Sequence, residues 1–238
     1  MVGIGPGNPM DLTRRAEKAI RGSNVIVGYG PYLQNLGGLI RDKEIITSGM
    51  TREIERCRTA LGLAEAGRMV SLVSSGDAGV YGMAGPVIEM AAAQNSDVAI
   101  EIIPGVSASG SASAKLGAPL MLDYAVISLS DLLVPWETIR GRLEAVAAAD
   151  LVAALYNPKS KKRDWQLAEA AAIFRKYRPG STPVGVATAV GQAGECIDLT
   201  DLDHFENCVI TMQSIVIVGN RSSRNIYGWF VTPRGYSL

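Results

Sequence analysis

The chain has 238 residues, 47% of them hydrophobic and 19% charged, which suits one large globular domain or two modest ones. Lysine plus arginine equals aspartate plus glutamate at 23 each. This balance argues against a general nucleic-acid binder or a protein that binds acidic membranes, because such proteins carry a basic excess. The longest nearly apolar run, residues 145–156, contains Asp150 and is too short to span a bilayer.

The start of the chain lacks the basic and apolar segments of a signal peptide, so we expect a soluble cytoplasmic protein. The three cysteines, Cys57, Cys196 and Cys208, are widely spaced and form no CxxC pair. They are expected to be free thiols. His204 is the only histidine, so a metal site built from several histidines is excluded, and we predict no metal.

Strand-like and helix-like segments alternate through the first half of the chain. A helix is predicted first, with Asp11 as its N-cap. Apolar runs rich in valine and isoleucine then predict strands that are covered on both faces. The predicted helices are 11–20, 52–66 and 85–94, and the predicted strands are 25–27, 69–73 and 98–103.

The second half continues the alternation. Strands are predicted at 124–129, 151–156, 183–189 and 214–219, and helices at 136–149 and 164–176. Residues 196–219 have the pattern of an antiparallel meander. Alternation of this kind indicates an α/β protein with mainly parallel pairing. A change of character near residues 117–119 predicts two α/β domains, 1–118 and 119–238.

The first glycine-rich segment, residues 2–9 (VGIGPGNP), leads into the first helix. Its glycines allow a sharp turn and close approach of a ligand. A dinucleotide-binding fingerprint requires a third glycine where Asn8 stands, and Pro6 and Pro9 remove two amide donors. A tight turn without a ligand is the alternative interpretation.

Two further segments follow predicted strands. Residues 74–82 (SSGDAGVYG) come after strand 69–73, where open α/β sheets bind ligands, and Asp77 could accept hydrogen bonds or take a proton. A capping aspartate in a glycine loop is the alternative. Residues 103–114 contain repeated small side chains, of which Ser107 and Ala108 are candidates for ligand contact. From Ser111 onward we favour helix packing.

The fourth segment, residues 155–163 (LYNPKSKKR), ends the strand 151–156. Its four cations could attract a polyanion, but for most of them we favour a solvated loop before the next helix. We expect Arg163 to face solvent. Loops that follow strands in both halves suggest a site in a cleft between two domains.

Taken together, the segments resemble the tetrapyrrole methylase family, the class III S-adenosylmethionine methyltransferases. The family's ordered motifs stand here at residues 3–7, 76–82, 104–108 and 155–157, so the resemblance covers essentially the whole chain. Several stretches are similar to the members that methylate C-17 of a corrin precursor: 27–29 with Tyr32, 128–131 with 135–136 and Ile139, 156–160, 219–220 and 232–236. Ala78 departs from the proline common in the family's second motif. The chain also begins almost inside its first strand, so strand one is short or the native start lies upstream.

The resemblance implies a tetrapyrrole substrate, S-adenosylmethionine as cofactor, a homodimer and methyl transfer with ring contraction. The implied cofactor positions are Pro6, Ser75, Gly76, Asp77, Val80, Ser107, Ala108, Tyr156, Asn157 and Ala189. Tyr29, Tyr32 and Lys159 are implied as substrate contacts. Asp77, Ser130 and Asp131 are candidates for the proton removal that ring contraction requires.

Three other functions remain open at this point. The chain could be a related enzyme, such as a C-11 or C-20 precorrin methyltransferase or a diphthine synthase. A Rossmann-type nucleotide-binding oxidoreductase is disfavoured by Asn8 and by the absence of an acidic residue after strand 25–27. A tetrapyrrole-binding module without enzymatic activity is the third. The sequence does not decide whether the substrate carries cobalt.

Overall fold

A computed structural model describes residues 1–160 and 163–237. The chain divides into two compact units, Met1–Ala108 and Ser109–Leu238. The predicted boundary lies further along the chain, after residue 118. The difference is the helix Ala108–Leu116, nearly all of which belongs to the second unit.

The first unit is a parallel α/β unit, and its elements follow the predicted alternation. Its strands are β1 (Val2–Gly3), β2 (Val25–Tyr29), β3 (Glu44–Ser48) and β4 (Val70–Ser74). Its helices are α1 (Arg14–Gly22), α2 (Gly30–Gln34), α3 (Glu53–Glu65) and α4 (Ala84–Ala93), with short 3-10 helices at Pro9–Asp11 and Gly37–Ile40. The strands pair in the order β1-β4-β2-β3, and all three pairings are parallel.

Both faces of this sheet are covered, as the apolar strand sequences predicted. Ile26 packs on one face with Ile20 of α1, whereas Val25 and Val27 pack on the other face with α3 and α4. Successive strand side chains point to opposite faces, so an unbroken apolar strand requires a helix layer on each side.

The second unit contains a mixed sheet and a small additional sheet. Its helices are α5 (Ala108–Leu116), α6 (Trp136–Ala148) and α7 (Trp165–Arg175), with a 3-10 helix at Phe205–Asn207. The larger sheet consists of β6 (Tyr124–Ser128), β7 (Val152–Tyr156), β8 (Pro183–Thr188), β9 (Cys196–Asp201) and β10 (Ser214–Val218). The smaller sheet consists of β5 (Gly117–Ala118), β11 (Arg224–Ile226) and β12 (Trp229–Val231).

The larger sheet has the order β6-β7-β10-β8-β9, in which only β6 and β7 pair in parallel. Helices α6 and α7 cover one face and bury Leu143 and Phe174 against Leu155 and Val186. Helix α5 lies on the opposite face. A side chain at Gly185 of β8 would overlap Leu116 of this helix, so glycine permits the close contact.

Three local predictions are wrong. Residues 98–103 form no strand apart from a single bridge between Ile103 and Val2, because β1 offers only two strand residues as a partner. Helix α1 is capped by Thr13, whose hydroxyl accepts the Ala16 N–H at 3.1 Å, and not by Asp11. Residues 196–219 are antiparallel but form no meander, since β8 lies between β9 and β10.

Candidate functional site

The loops that carry the first three motifs meet at one edge of the first unit. Parallel strands place their carboxyl ends at the same edge of a sheet, which is where open α/β sheets bind ligands. The segments that follow β1, β4 and Ile103 all leave the sheet there. Gly5 and Gly76 exchange two backbone hydrogen bonds, at 3.1 and 2.8 Å, and Gly3 N–H donates to Ile103 O at 2.9 Å.

Glycine is required for these three loops to approach so closely. A Cβ atom on Gly3 would lie 2.7 Å from Gly105 N and 2.8 Å from Gly76 O. A Cβ atom on Gly105 would overlap Gly76 O and lie 2.7 Å from Gly3 C. Gly5 and Gly76 also have positive φ angles of 75° and 62°. The glycines of the motifs therefore pack backbone on backbone, which brings the three loops together at this edge.

The Asp77 carboxylate links two of these loops. Gly79 N–H donates to Oδ1 at 2.8 Å, and Gly105 N–H donates to Oδ2 at 3.0 Å. Both oxygens thus have a backbone partner. Asp77 therefore accepts backbone hydrogen bonds, as a capping aspartate does, and it does so at the edge where the ligand site was predicted. Its carboxylate fixes the loops that form this edge.

Tyr29 and Tyr32 lie at the carboxyl end of β2, on the same edge of the first unit. Their rings are 5.1 Å apart and nearly perpendicular, an arrangement that aromatic pairs favour. Burial, and then the neighbouring Tyr29, raises the pKa of Tyr32. The two half-buried rings lie at the edge where the glycine loops also leave the sheet.

The second unit has a corresponding edge. Strands β7 and β8 both run antiparallel to β10, and β6 runs parallel to β7. The carboxyl ends of β6, β7 and β8 therefore share one edge. The predicted residues of the second half follow these three strands: Ser130 and Asp131, Tyr156, Asn157 and Lys159, and Ala189.

Two residues at this edge have strained backbones. Asn157 and Ala189 adopt positive φ angles of 51° and 50° without being glycine. Such conformations cost about 1–3 kcal/mol each and are found often at functional sites. Asn157 is held by its side chain, whose Nδ2 donates to Ser128 Oγ at 3.0 Å. Tyr156 is buried, and its hydroxyl accepts Ser109 N–H of α5 at 2.9 Å.

Arg163 does not face solvent, and that prediction is wrong. Its side chain is only 10% exposed, and Nη1 donates to Leu129 O at 2.8 Å and to Asn157 O at 2.6 Å. Burial lowers the pKa of Arg163, and Asp131, 3.9 Å away, opposes this effect. Lys159 is exposed, whereas Lys161 and Lys162 lie outside the described residues.

Other features of the structure do not coincide with these edges. A cavity of about 440 Å³ in the first unit is lined by Ser23, Met69 and Val70, near the amino ends of the strands, and by none of the predicted site residues. Within residues 1–160 and 163–237, no cluster of three histidine, cysteine or acidic side chains could hold a metal ion. In the same part of the chain, no helix is long and apolar enough to cross a membrane.

The structure thus gathers the predicted residues into two groups, one in each unit. Sequence reasoning missed Ser128, Arg163 and Gln166, whose side chains hold Asn157 and Asp131. Gln166 Nε2 donates to Asp131 Oδ2 at 2.9 Å. The sequence gives one signal for these supporting residues: Ser128 ends a strand, and Arg163 and Gln166 lie at the start of a helix.

The fold and the ordered loops define the class of protein. A family model described as Tetrapyrrole (Corrin/Porphyrin) Methylases matches residues 1–205. The chain belongs to this family, and the resemblance found in the ordered motifs is confirmed.

Individual relatives are similar over the whole chain. A Salmonella typhimurium protein named "Probable cobalt-factor III C(17)-methyltransferase" is 44% identical over 238 residues, covering 100% of this chain and 99% of the relative. The precorrin-3B C(17)-methyltransferase of a Sinorhizobium species is 40% identical over 227 residues, covering 94% and 89%. The crystal structure of the methyltransferase CobJ has a TM-score of 0.91 and 33% identity, covering 98% of each chain.

Proposed function

We propose that the protein transfers a methyl group from S-adenosylmethionine to C-17 of precorrin-3B or cobalt-precorrin-3, with ring contraction, in cobalamin biosynthesis. Full-length similarity to two relatives named for C-17 methylation carries the substrate assignment. The packed loops of the first unit carry the assignment of methyl transfer, since they offer backbone groups at the edge where such sheets bind ligands.

The residues at the two edges fit this cofactor in chemical character. Backbone groups of the loops after β1 and β4 suit its adenine and amino-acid ends, and the half-buried Val80 and Ala108 offer small apolar surfaces. We propose that Pro6, Ser75, Gly76, Ser107, Tyr156, Asn157 and Ala189 also contact it. When bound, S-adenosylmethionine supplies a methyl group that is already activated on a sulfonium sulfur.

With the methyl group activated in this way, the protein's main task is to position the reactants. Correct positioning is worth about 7–11 kcal/mol in favourable systems. The Asp77 contacts and the glycine packing hold the loops rigid, so they bind and orient rather than react. We therefore assign Asp77 a positioning role in the cofactor site.

Because Asp77 is assigned a positioning role, we propose Ser130 and Asp131 as the residues that assist the proton removal needed for ring contraction. Asp131 is held by Gln166 and lies 3.9 Å from Arg163 Nε, so its carboxylate is fixed at the edge of the second unit. Tyr29 and Tyr32 are proposed to contact the macrocycle. Lys159 is exposed and could pair with one of the substrate's carboxylates.

The test is transfer of a labelled methyl group from S-adenosylmethionine to four acceptors in parallel. These are precorrin-3B, cobalt-precorrin-3, and the acceptors of the C-11 and C-20 methyltransferases. We expect label only in one or both of the first two. Label in a C-11 or C-20 acceptor alone would replace the proposed position with that of a related enzyme. Cofactor binding without transfer to any acceptor would favour a binding module.

A further inference from the structure

We propose that Arg163 is a positioning residue of the methyltransferase, which holds Asn157 in its left-handed conformation at the cofactor-binding edge of the second unit. The inference rests on the proposed function, because it assumes that Asn157 contacts S-adenosylmethionine. Neither the ordered family motifs nor the predicted site residues assign a role to Arg163.

The first observation is the pair of carbonyls that one guanidinium nitrogen joins. Arg163 Nη1 donates to Leu129 O, just after β6, and to Asn157 O, just after β7. The two strands are parallel neighbours, and Leu129 N–H donates to Tyr156 O at 2.9 Å to extend their pairing. Arg163 therefore closes the end of this strand pair where the ladder stops.

The second observation is the conformation of Asn157. Its positive φ of 51° lies in the left-handed region, which asparagine adopts more readily than most residues with a side chain but less readily than glycine. Surrounding contacts therefore add to the stability of this conformation. The Ser128 hydroxyl holds its side chain, and Arg163 holds its carbonyl. Without Arg163 the Asn157 carbonyl loses this partner, and the backbone is held less firmly.

The third observation is the burial of the charge. The Arg163 side chain is 10% exposed and has Asp131 as its charged neighbour. A buried guanidinium destabilises a fold unless it is paired and hydrogen-bonded. Its planar set of donors can serve two carbonyls and a carboxylate together, which a lysine ammonium on a flexible stem cannot do with the same geometry. The guanidinium of Arg163 is therefore buried, whereas Lys159 of the same segment is exposed.

The experiment compares R163M and R163K with the control R175M. Arg175 also donates to a backbone carbonyl, Leu202 O at 2.7 Å, but this carbonyl follows β9, at the opposite edge of the same sheet. Calorimetry measures the Kd of S-adenosylmethionine, steady-state kinetics separates KM from kcat, and urea unfolding measures stability. Losing one charge-assisted hydrogen bond at the site should raise the Kd about tenfold in R163M.

R163K retains the charge beside Asp131 and is expected to fold even if R163M does not. Its Kd should rise at least about threefold, because its ammonium cannot join both carbonyls in the same geometry. In both variants the KM for S-adenosylmethionine should rise more than kcat falls. R175M should lose stability and keep its Kd within about twofold of the unaltered protein.

A double-mutant cycle with N157G isolates the proposed role. Glycine adopts a positive φ without steric cost, so R163M should raise the Kd less than about threefold in the N157G background. An unchanged Kd in R163K and R163M would overturn the inference about Arg163 but not the proposed function. The same holds if R163M raises the Kd equally in proteins with Asn157 and with N157G. Failure of the unaltered protein to bind S-adenosylmethionine would overturn the proposed function, and the inference with it.

Discussion

Replacing Asp77 by alanine removes the carboxylate that joins the loop after β4 to the segment after Ile103. Two backbone amides, Gly79 N–H and Gly105 N–H, lose their acceptor. Hydrogen bonds to a charged group contribute about 1.5–3 kcal/mol each, and Asp77 is half-buried, so the lower end of the range applies. We expect D77A to lower the free energy of unfolding by about 2–4 kcal/mol, and D77N by roughly half as much.

The same change should weaken the binding of S-adenosylmethionine by about 1–3 kcal/mol, because the loops proposed to bind it are no longer fixed. Urea unfolding measures the stability through the midpoint at constant slope, and calorimetry measures the affinity. The exposed Asp97 provides a control, and D97A should leave both quantities unchanged. Unchanged stability and affinity in D77A would refute the role of the carboxylate as the link between the loops.

Four further substitutions test the packing and the electrostatics. Gly105→Ala places a methyl group against the backbone of a neighbouring loop and should cost about 1–3 kcal/mol or more, whereas Gly62→Ala, in open space within α3, should stabilise by about 0.5–1 kcal/mol. Arg178→Leu leaves the buried carbonyls that Arg178 joins unpaired and should cost roughly 3 kcal/mol of unfolding free energy. A backbone N–H of its own loop and the Lys115 ammonium lower the pKa of Glu195. Its stabilising contribution is therefore present above the ordinary carboxyl pKa of about 4.3 and lost as the pH falls through the lower folded value, so E195Q should lose less stability there.

Urea unfolding measures the effect of all four substitutions. Equal stability for the two glycine variants would contradict the account of loop packing. A small effect of Arg178→Leu, below about 1 kcal/mol, would mean that water replaces its contacts. Parallel stability curves for E195Q and the unaltered protein from pH 7 to pH 3 would remove Glu195 from the acid transition.

The alternation of apolar runs predicted most of the fold. The apolar runs 25–27 and 151–156 were predicted to be strands covered on both faces, and the structure buries the strands Val25–Tyr29 and Val152–Tyr156 at these positions. The run 98–103 is also rich in valine and isoleucine but forms no strand. Composition shows that a segment could be a strand, whereas the presence of a partner strand is decided by tertiary structure.

The candidate site was predicted where the backbone itself forms it. Glycine residues indicate positive φ angles and close approach between two backbone segments. The loops of the first unit could therefore be predicted from the sequence. The supporting side chains could not. Arg163 belongs to a run of basic residues that is typical of an exposed loop, and nothing local distinguishes it from Lys159. Its burial follows from the meeting of β6 and β7, which are separated in sequence by the whole of α6.

The position of the transferred methyl group tests the central claim most directly. The protein is incubated with an isotope-labelled methyl donor and with precorrin-3B or cobalt-precorrin-3, and the product is analysed by mass spectrometry and NMR. We predict one added methyl group at C-17 on a ring-contracted product from at least one acceptor. A product labelled at another carbon, or no methylated product from either acceptor, would contradict the proposed function.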